Sequence, residues 1–183
     1  EYQNAGAGIN NAMKQAVLAK LDSSALAGRT VHVVGAFTLV TYRDRIAHEL
    51  HFALVCGTPD RDTPTLVRVQ VENPLSDLLH WRRDDFGVAA TDALRAIAAE
   101  DRGVMVVLSE PRNAEALLAR LRKQPVATTS SKDVGQWRRN GAGAQILHDL
   151  GFGKLRVLGT PRRQVGLAGF GLEVVDYVVA PAR

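Results

Sequence analysis

The chain has 183 residues, 46% apolar, 23% charged and 5% aromatic, which supplies enough apolar material for a packed core and excludes disordered, collagenous and membrane-spanning chains. One core serves ~100–150 residues, so one domain with a tail is expected. The net charge of +4 is uneven: residues 1–100 carry 10 basic and 12 acidic side chains, residues 101–183 carry 13 and 7, so an anionic partner is expected at the C-terminal half.

Residues 1–29 read as a tail. Asn4-Ala5-Gly6-Ala7-Gly8 is loose, and Ile9, Met13, Val17, Leu18 and Leu21 follow at helical spacing, which predicts an amphipathic helix. It could serve as a linker to an upstream domain or as a dimer arm. From Thr30 the pattern changes to strands, at 31–42, 48–56 and 66–71, separated by turn chemistry at Arg43-Asp44-Arg45 and Gly57-Thr58-Pro59-Asp60. An antiparallel meander is the simplest topology for these three. A helix is expected over about 88–100, closed by Asp101-Arg102-Gly103, and Val104-Met105-Val106-Val107-Leu108 reads as a buried strand.

A further helix is expected at about 113–123, ended by Pro125, and then a mobile loop over 124–135. The run 141–151 is a helix stopped by Gly151, Lys154-Leu155-Arg156-Val157-Leu158 a strand of the kind that lies inside an α/β sheet, and 172–179 a last strand. The expected fold is therefore mixed α/β, with N-terminal antiparallel strands followed by alternating helices and strands over residues 30–183.

Cys56 lies in an apolar run, as a buried, inert thiol would. A lone cysteine excludes an internal disulfide and a zinc site built mainly from thiolates. His48 and His51 fall on opposite faces of a strand, so they do not pair around a metal. Asp84 and Asp85, with Asp77 and Asp92, read as solvated loop charges, because nothing converges them on a cation. Gly166–Gly171 precedes a strand where a dinucleotide fingerprint must follow one.

Two basic turns stand out. Arg138-Arg139 precede the helix start Asn140-Gly141-Ala142-Gly143, and Thr160-Pro161-Arg162-Arg163 follows the strand 154–158, both places where α/β folds receive anions. A solvated basic surface and a phosphate-sized pocket both remain open. Aromatics for stacking single-stranded nucleic acid are nearly absent apart from Trp137, so nucleic acid is not an expected partner. No leader or long apolar stretch is visible, and a cytoplasmic protein without a membrane partner is expected.

Several stretches together resemble the GTP cyclohydrolase II family over about residues 30–180: Thr41-Tyr42-Arg43-Asp44-Arg45, Leu66-Val67-Arg68-Val69, Ala93–Glu100 with Arg102-Gly103-Val104, Gly143–Gly151, and Val165–Val175. The resemblance implies an enzyme that opens the imidazole ring of GTP with loss of formate and pyrophosphate, as the first step of riboflavin synthesis. It also implies a homodimer, and an occurrence C-terminal to 3,4-dihydroxy-2-butanone 4-phosphate synthase.

The chain departs from that pattern where the chemistry lies. The family holds a catalytic zinc with three cysteines; the matching positions here are Asn73, Asp84 and Phe86. Zinc would supply the activated water, and phenylalanine cannot bind it. The family's catalytic tyrosine has no match within 120–137. Its Asp-x-Arg pair resembles Gln136-Trp137-Arg138, in which only the arginine survives. The resemblance leaves Arg68, Arg138, Thr160, Arg162 and Arg163 as candidates for binding GTP or a phosphate ester, and no cofactor. Three readings follow: an inactive domain that supports or regulates a synthase partner, a nucleotide- or phosphate-binding module, and an enzyme of altered chemistry, with an active cyclohydrolase as the further alternative.

Overall fold

In the computed structural model, which describes residues 18–20, 30–32, 35–45, 48–83, 86–109, 114–122, 141–161 and 167–179, the β-branched and apolar runs assemble into one eight-stranded sheet. In chain order the strands are β1 (Leu18–Lys20), β2 (Thr30–His32), β3 (Ala36–Asp44), β4 (Leu50–Cys56), β5 (Thr65–Val71), β6 (Gly103–Leu108), β7 (Lys154–Leu158) and β8 (Glu173–Val178). The helices are α1 (Pro74–Asp77), α2 (Ala90–Ala99), α3 (Ala114–Leu121) and α4, which covers 141–149. A 3-10 turn, Ala168–Phe170, precedes β8.

The spatial order is β1-β3-β4-β6-β5-β7-β8, with β2 also on β3. The sheet is antiparallel from β1 to β6 and parallel from β6 through β5 and β7 to β8. This corrects the expected meander: β6 is inserted between β4 and β5. The chain leaves β5 through α1 and α2 and returns parallel to it, the crossover that such a strand pair requires. Central placement also explains the unbroken apolar run of β6, whose residues are buried on both faces.

Side chains alternate between two cores. On one face Ala142, Ala144, Ile146 and Leu147 of α4 pack with Phe152 on Val67, Val104, Val106 and Leu155; on the other Ala93, Leu94 and Ile97 of α2 pack on Leu66, Met105 and Leu158. Helices therefore cover both faces of the sheet. Ile97 is wholly buried, and truncating such a side chain to alanine costs ~2–5 kcal/mol.

Four local expectations are corrected. The single strand expected over 31–42 is two, β2 and β3, paired antiparallel with His32 opposite Ala36. Leu18 was expected on a helix, but Leu18–Lys20 pairs antiparallel with Tyr42–Asp44 of β3. The expected turn at 43–45 starts later, because β3 runs on to a buried Asp44. His48 precedes β4 with φ at 58°, outside the strand that was expected to begin there. The rest of the predicted N-terminal helix and the loop over 124–135 lie outside the described residues. Among the described residues no helix is long and apolar enough to cross a membrane.

Candidate functional site

Parallel strands in an open sheet deliver their following loops to one edge, and in α/β folds that carboxyl edge receives ligands. Here it gathers Glu72 and Asn73 after β5, Ser109 after β6, and Gly159 and Thr160 after β7. α4 lies against it: a Cβ on Gly143 would come 2.8 Å from Val69 Cγ1 and 3.8 Å from Leu108 Cδ1.

Arg68 reaches this edge from the α2 face of β5. Its Nη1 donates to the Leu158 carbonyl at 3.0 Å, Nη2 to the Val88 carbonyl at 3.3 Å, and Nε to Gln70 Oε1 at 3.3 Å. Gly159, with φ at +143°, leaves the space for this, since a Cβ there would stand 2.8 Å from Nη1. The guanidinium thus ties β5 to the end of β7 and to the turn before α2. Gln70 passes the network on to the Asp77 carboxylate at 3.4 Å. Asp77 Oδ2 accepts from the Asn73 backbone N–H at 2.8 Å, and Asp77 Oδ1 accepts from Ser76 Oγ at 2.9 Å. Thr160, exposed, is the neighbour of Gly159 in this arrangement. The structure therefore brings Arg68 and Thr160 to one edge; Arg138, Arg162 and Arg163 lie outside the described residues.

A second polar group sits on the α4 face. His51 is 2% exposed, and its Nδ1 accepts the Ser109 backbone N–H at 3.2 Å, which puts the ring proton on Nε2. Ser109 Oγ approaches Glu72 Oε2 at 3.5 Å. Burial lowers the His51 pKa from its ordinary 6.5, against the opposing pull of the Asp44 and Glu72 carboxylates. Across the strand pair, buried Tyr42 donates to Asp149 Oδ2 at 2.7 Å, and its phenol is held well above its usual range by burial, reinforced by Asp149. Cys56 is buried at the far end of β4, where burial raises its thiol pKa and Asp101 adds to the rise.

The sequence resemblance matches the family's zinc ligands to Asn73, Asp84 and Phe86. Asn73 Oδ1 accepts the Leu75 backbone N–H at 3.2 Å, capping α1 as asparagine does at a helix start. Phe86 has no donor atom, and its ring stands edge-on to Trp81, 6.1 Å between centroids, under the Arg83 guanidinium. Asp84 lies outside the described residues. The two described positions do not fit a zinc ion, and among the described residues no three His, Cys, Asp or Glu side chains are placed to hold a metal.

The sequence does not mark Gln70, Glu72 and Ser109, and it offers His51 only as a metal ligand; Asp77, expected as a solvated loop charge, instead lies half-buried in α1 and accepts from Gln70, the Asn73 N–H and Ser76. The legible signal was on β5, where one face changes from Leu66 to Arg68 to Gln70. A central strand that turns polar on one side as it nears its carboxyl end marks a site edge.

An α/β sheet covered on both faces, with a polar carboxyl edge, defines the class of protein. The family model for GTP cyclohydrolase II matches residues 25–179, and the chain belongs to that family. It is 42% identical over 162 residues to a 3,4-dihydroxy-2-butanone 4-phosphate synthase of Pseudomonas syringae pv. tomato, covering 83% of this chain and 42% of that protein. It is 38% identical over 155 residues to the protein of the same name from Pseudomonas aeruginosa, covering 80% and 40%. With the riboflavin biosynthesis protein RibBA of Chlorobium phaeovibrioides it shares 33% identity over 169 residues, covering 87% and 41%. The chain spans about two fifths of the length of these relatives.

Proposed function

We propose that this chain is a GTP cyclohydrolase II-type domain without metal chemistry, which supports or regulates a 3,4-dihydroxy-2-butanone 4-phosphate synthase partner in riboflavin biosynthesis. Phe86 carries this reading: by sequence resemblance it takes the position of one of the family's zinc thiolates, and its phenyl ring packs with Trp81 and Arg83. Without an ion to lower the pKa of water, the family's own route to a nucleophile at neutral pH is missing. The synthase names of the relatives support the identity of the partner. In the reading, the protein carries no zinc, acts in the cytoplasm and forms a homodimer.

The experiment compares synthase activity of a fused or co-expressed synthase with and without this domain, alongside formate release from GTP by the domain supplied with zinc. Loss of synthase activity or of its assembly on deletion, with no formate released, is the expected result. Formate released at enzymatic rates would show an active cyclohydrolase and end the proposal.

A second reading, a module that still takes GTP or a phosphate ester, is favoured by the exposed Thr160 turn that follows β7 beside Arg68, the place where α/β sheets receive ligands. Arg138, Arg162 and Arg163 would add charge-assisted contacts to phosphate. Calorimetric titration of the metal-free chain with GTP tests it: micromolar binding weakened by Arg138→Ala or Arg163→Ala supports this role, and no heat at millimolar GTP removes it.

A further inference from the structure

The loop between α1 and α2 departs furthest from a metal-holding design and is nonetheless closed. Arg83 Cζ lies 5.3 Å from the centroid of Trp81 and 4.6 Å from that of Phe86. The Phe86 backbone N–H donates to the Arg83 carbonyl at 3.0 Å, so main chain and side chains join the same two residues. Both flanks are anchored. The Trp81 N–H donates to the Leu75 carbonyl at 2.9 Å, Arg82 pairs with Asp92 of α2 at 3.3 Å, and Arg68 holds Val88.

We infer that a cation–π clamp, the Arg83 guanidinium on the rings of Trp81 and Phe86, closes this loop at the place where the family's loop closes on a metal. The inference rests on the metal-free reading proposed above. Thiolates held close together repel one another and need a dication between them. A phenyl ring presents a negative face that a guanidinium satisfies without any ion. The charge that closes the loop is thus built into the chain, and its fixed position repels a second cation. Trp81 adds a second ring to the clamp.

The test uses the whole chain in a Trp137→Phe background, so that Trp81 is the one indole reporting. Zinc content as purified and melting temperature with and without chelator are measured first, then Phe86→Leu, Phe86→Tyr, Arg83→Met and the double variant Arg83→Met/Phe86→Leu. No bound zinc and no response to chelator are expected. Phe86→Leu and Arg83→Met should each lower the melting temperature by about 2–4 °C, the double variant little more than either, and Phe86→Tyr, which keeps a ring, should retain it. Phe86→Leu should also quicken tryptic cutting after Arg82 and Arg83 and alter Trp81 emission. One zinc per chain, with a melting temperature that falls on chelation, would overturn the metal-free reading. With zinc absent, additive losses, or a leucine variant cut no faster than the parent, would overturn the clamp and leave that reading standing.

Discussion

The two ends of the parallel strands are closed by different means. At the amino end main chain meets main chain: the Lys154 N–H donates to the Arg61 carbonyl at 3.1 Å, the Glu173 N–H to the Gly153 carbonyl at 2.9 Å, and Gly103 lies against the Leu66 carbonyl. At the carboxyl end much of the closure falls to polar side chains, Arg68 on Leu158 and Val88, His51 on Ser109, and Asn73 on Leu75. Main-chain closure is indifferent to chemistry and serves folding. The amino end has polar side-chain bonds too, Thr65 Oγ1 to the Thr63 carbonyl and Thr63 to Asp60, but these stay within one loop, whereas those of Arg68 and His51 tie separate elements together, as at a site or the remains of one.

The sharpest way to break this comparison is at Gly103. Its φ is +154°, and a Cβ would stand 2.5 Å from the Leu66 carbonyl oxygen and 2.9 Å from Ile97 Cγ2. Gly103→Ala combines backbone strain with overpacking and should lose about 3–5 kcal/mol in urea unfolding. A loss under ~1 kcal/mol would mean that the amino end yields, and the contrast between the ends fails.

At the other end Arg68→Met should cost about 1.5–3 kcal/mol, the range for hydrogen bonds from a charged donor, since it strips the Leu158 and Val88 carbonyls of a partner. The same variant sharpens the functional question. If Arg68 serves only as a tie, ligand affinity at a temperature where the variant is folded stays at the parent value; if it also meets the ligand, affinity falls. Urea titration and calorimetry separate the two outcomes.

How much of this was legible depends on the range of the determining contacts. β6 was legible because a strand buried on both faces reads as an unbroken apolar run, and α2 because Ala93, Leu94 and Ile97 fall on one helical stripe. The order of strands was not, since β4 and β5 carry similar patterns and only the crossover through α1 and α2 places β6 between them. β1 has three residues, too few for a period to show. Asp44 read as part of a turn because it lies between two arginines; its burial beside β4 is a tertiary fact. At the site, Arg68 and Thr160 could be named from the sequence, whereas the acceptors of Arg68, Leu158 and Val88, are 90 and 20 residues away along the chain.

The His51 bond gives the carboxyl end a pH dependence that main-chain closure lacks. Above about pH 6.5 the imidazole is neutral in folded and unfolded chains alike, so its contribution is fully present. As pH falls below that value the unfolded chain takes up the proton first, because burial depresses the folded pKa, and stability declines until pH passes the folded value. Protonation also turns Nδ1 into a donor facing the Ser109 N–H. His51→Asn, whose Oδ1 can accept that N–H without titrating, should flatten the stability profile between pH 5 and 7 in urea titrations. An equally steep profile in the variant would assign the dependence to other groups.

The smallest effect concerns the loop that leaves the carboxyl edge. After α1 the Trp81 N–H reaches back to the Leu75 carbonyl, and the residue just before it, His80, is left-handed with φ at 53°. Glycine takes this conformation without a Cβ penalty but brings more backbone freedom to the unfolded chain, so His80→Gly should gain only about 0.5 kcal/mol. A gain in the melting temperature with unchanged Trp81 emission would show that the left-handed residue is a plain turn position. A loss would show instead that the imidazole holds a contact worth more than the strain, making His80 one more polar side chain by which this end of the sheet is closed.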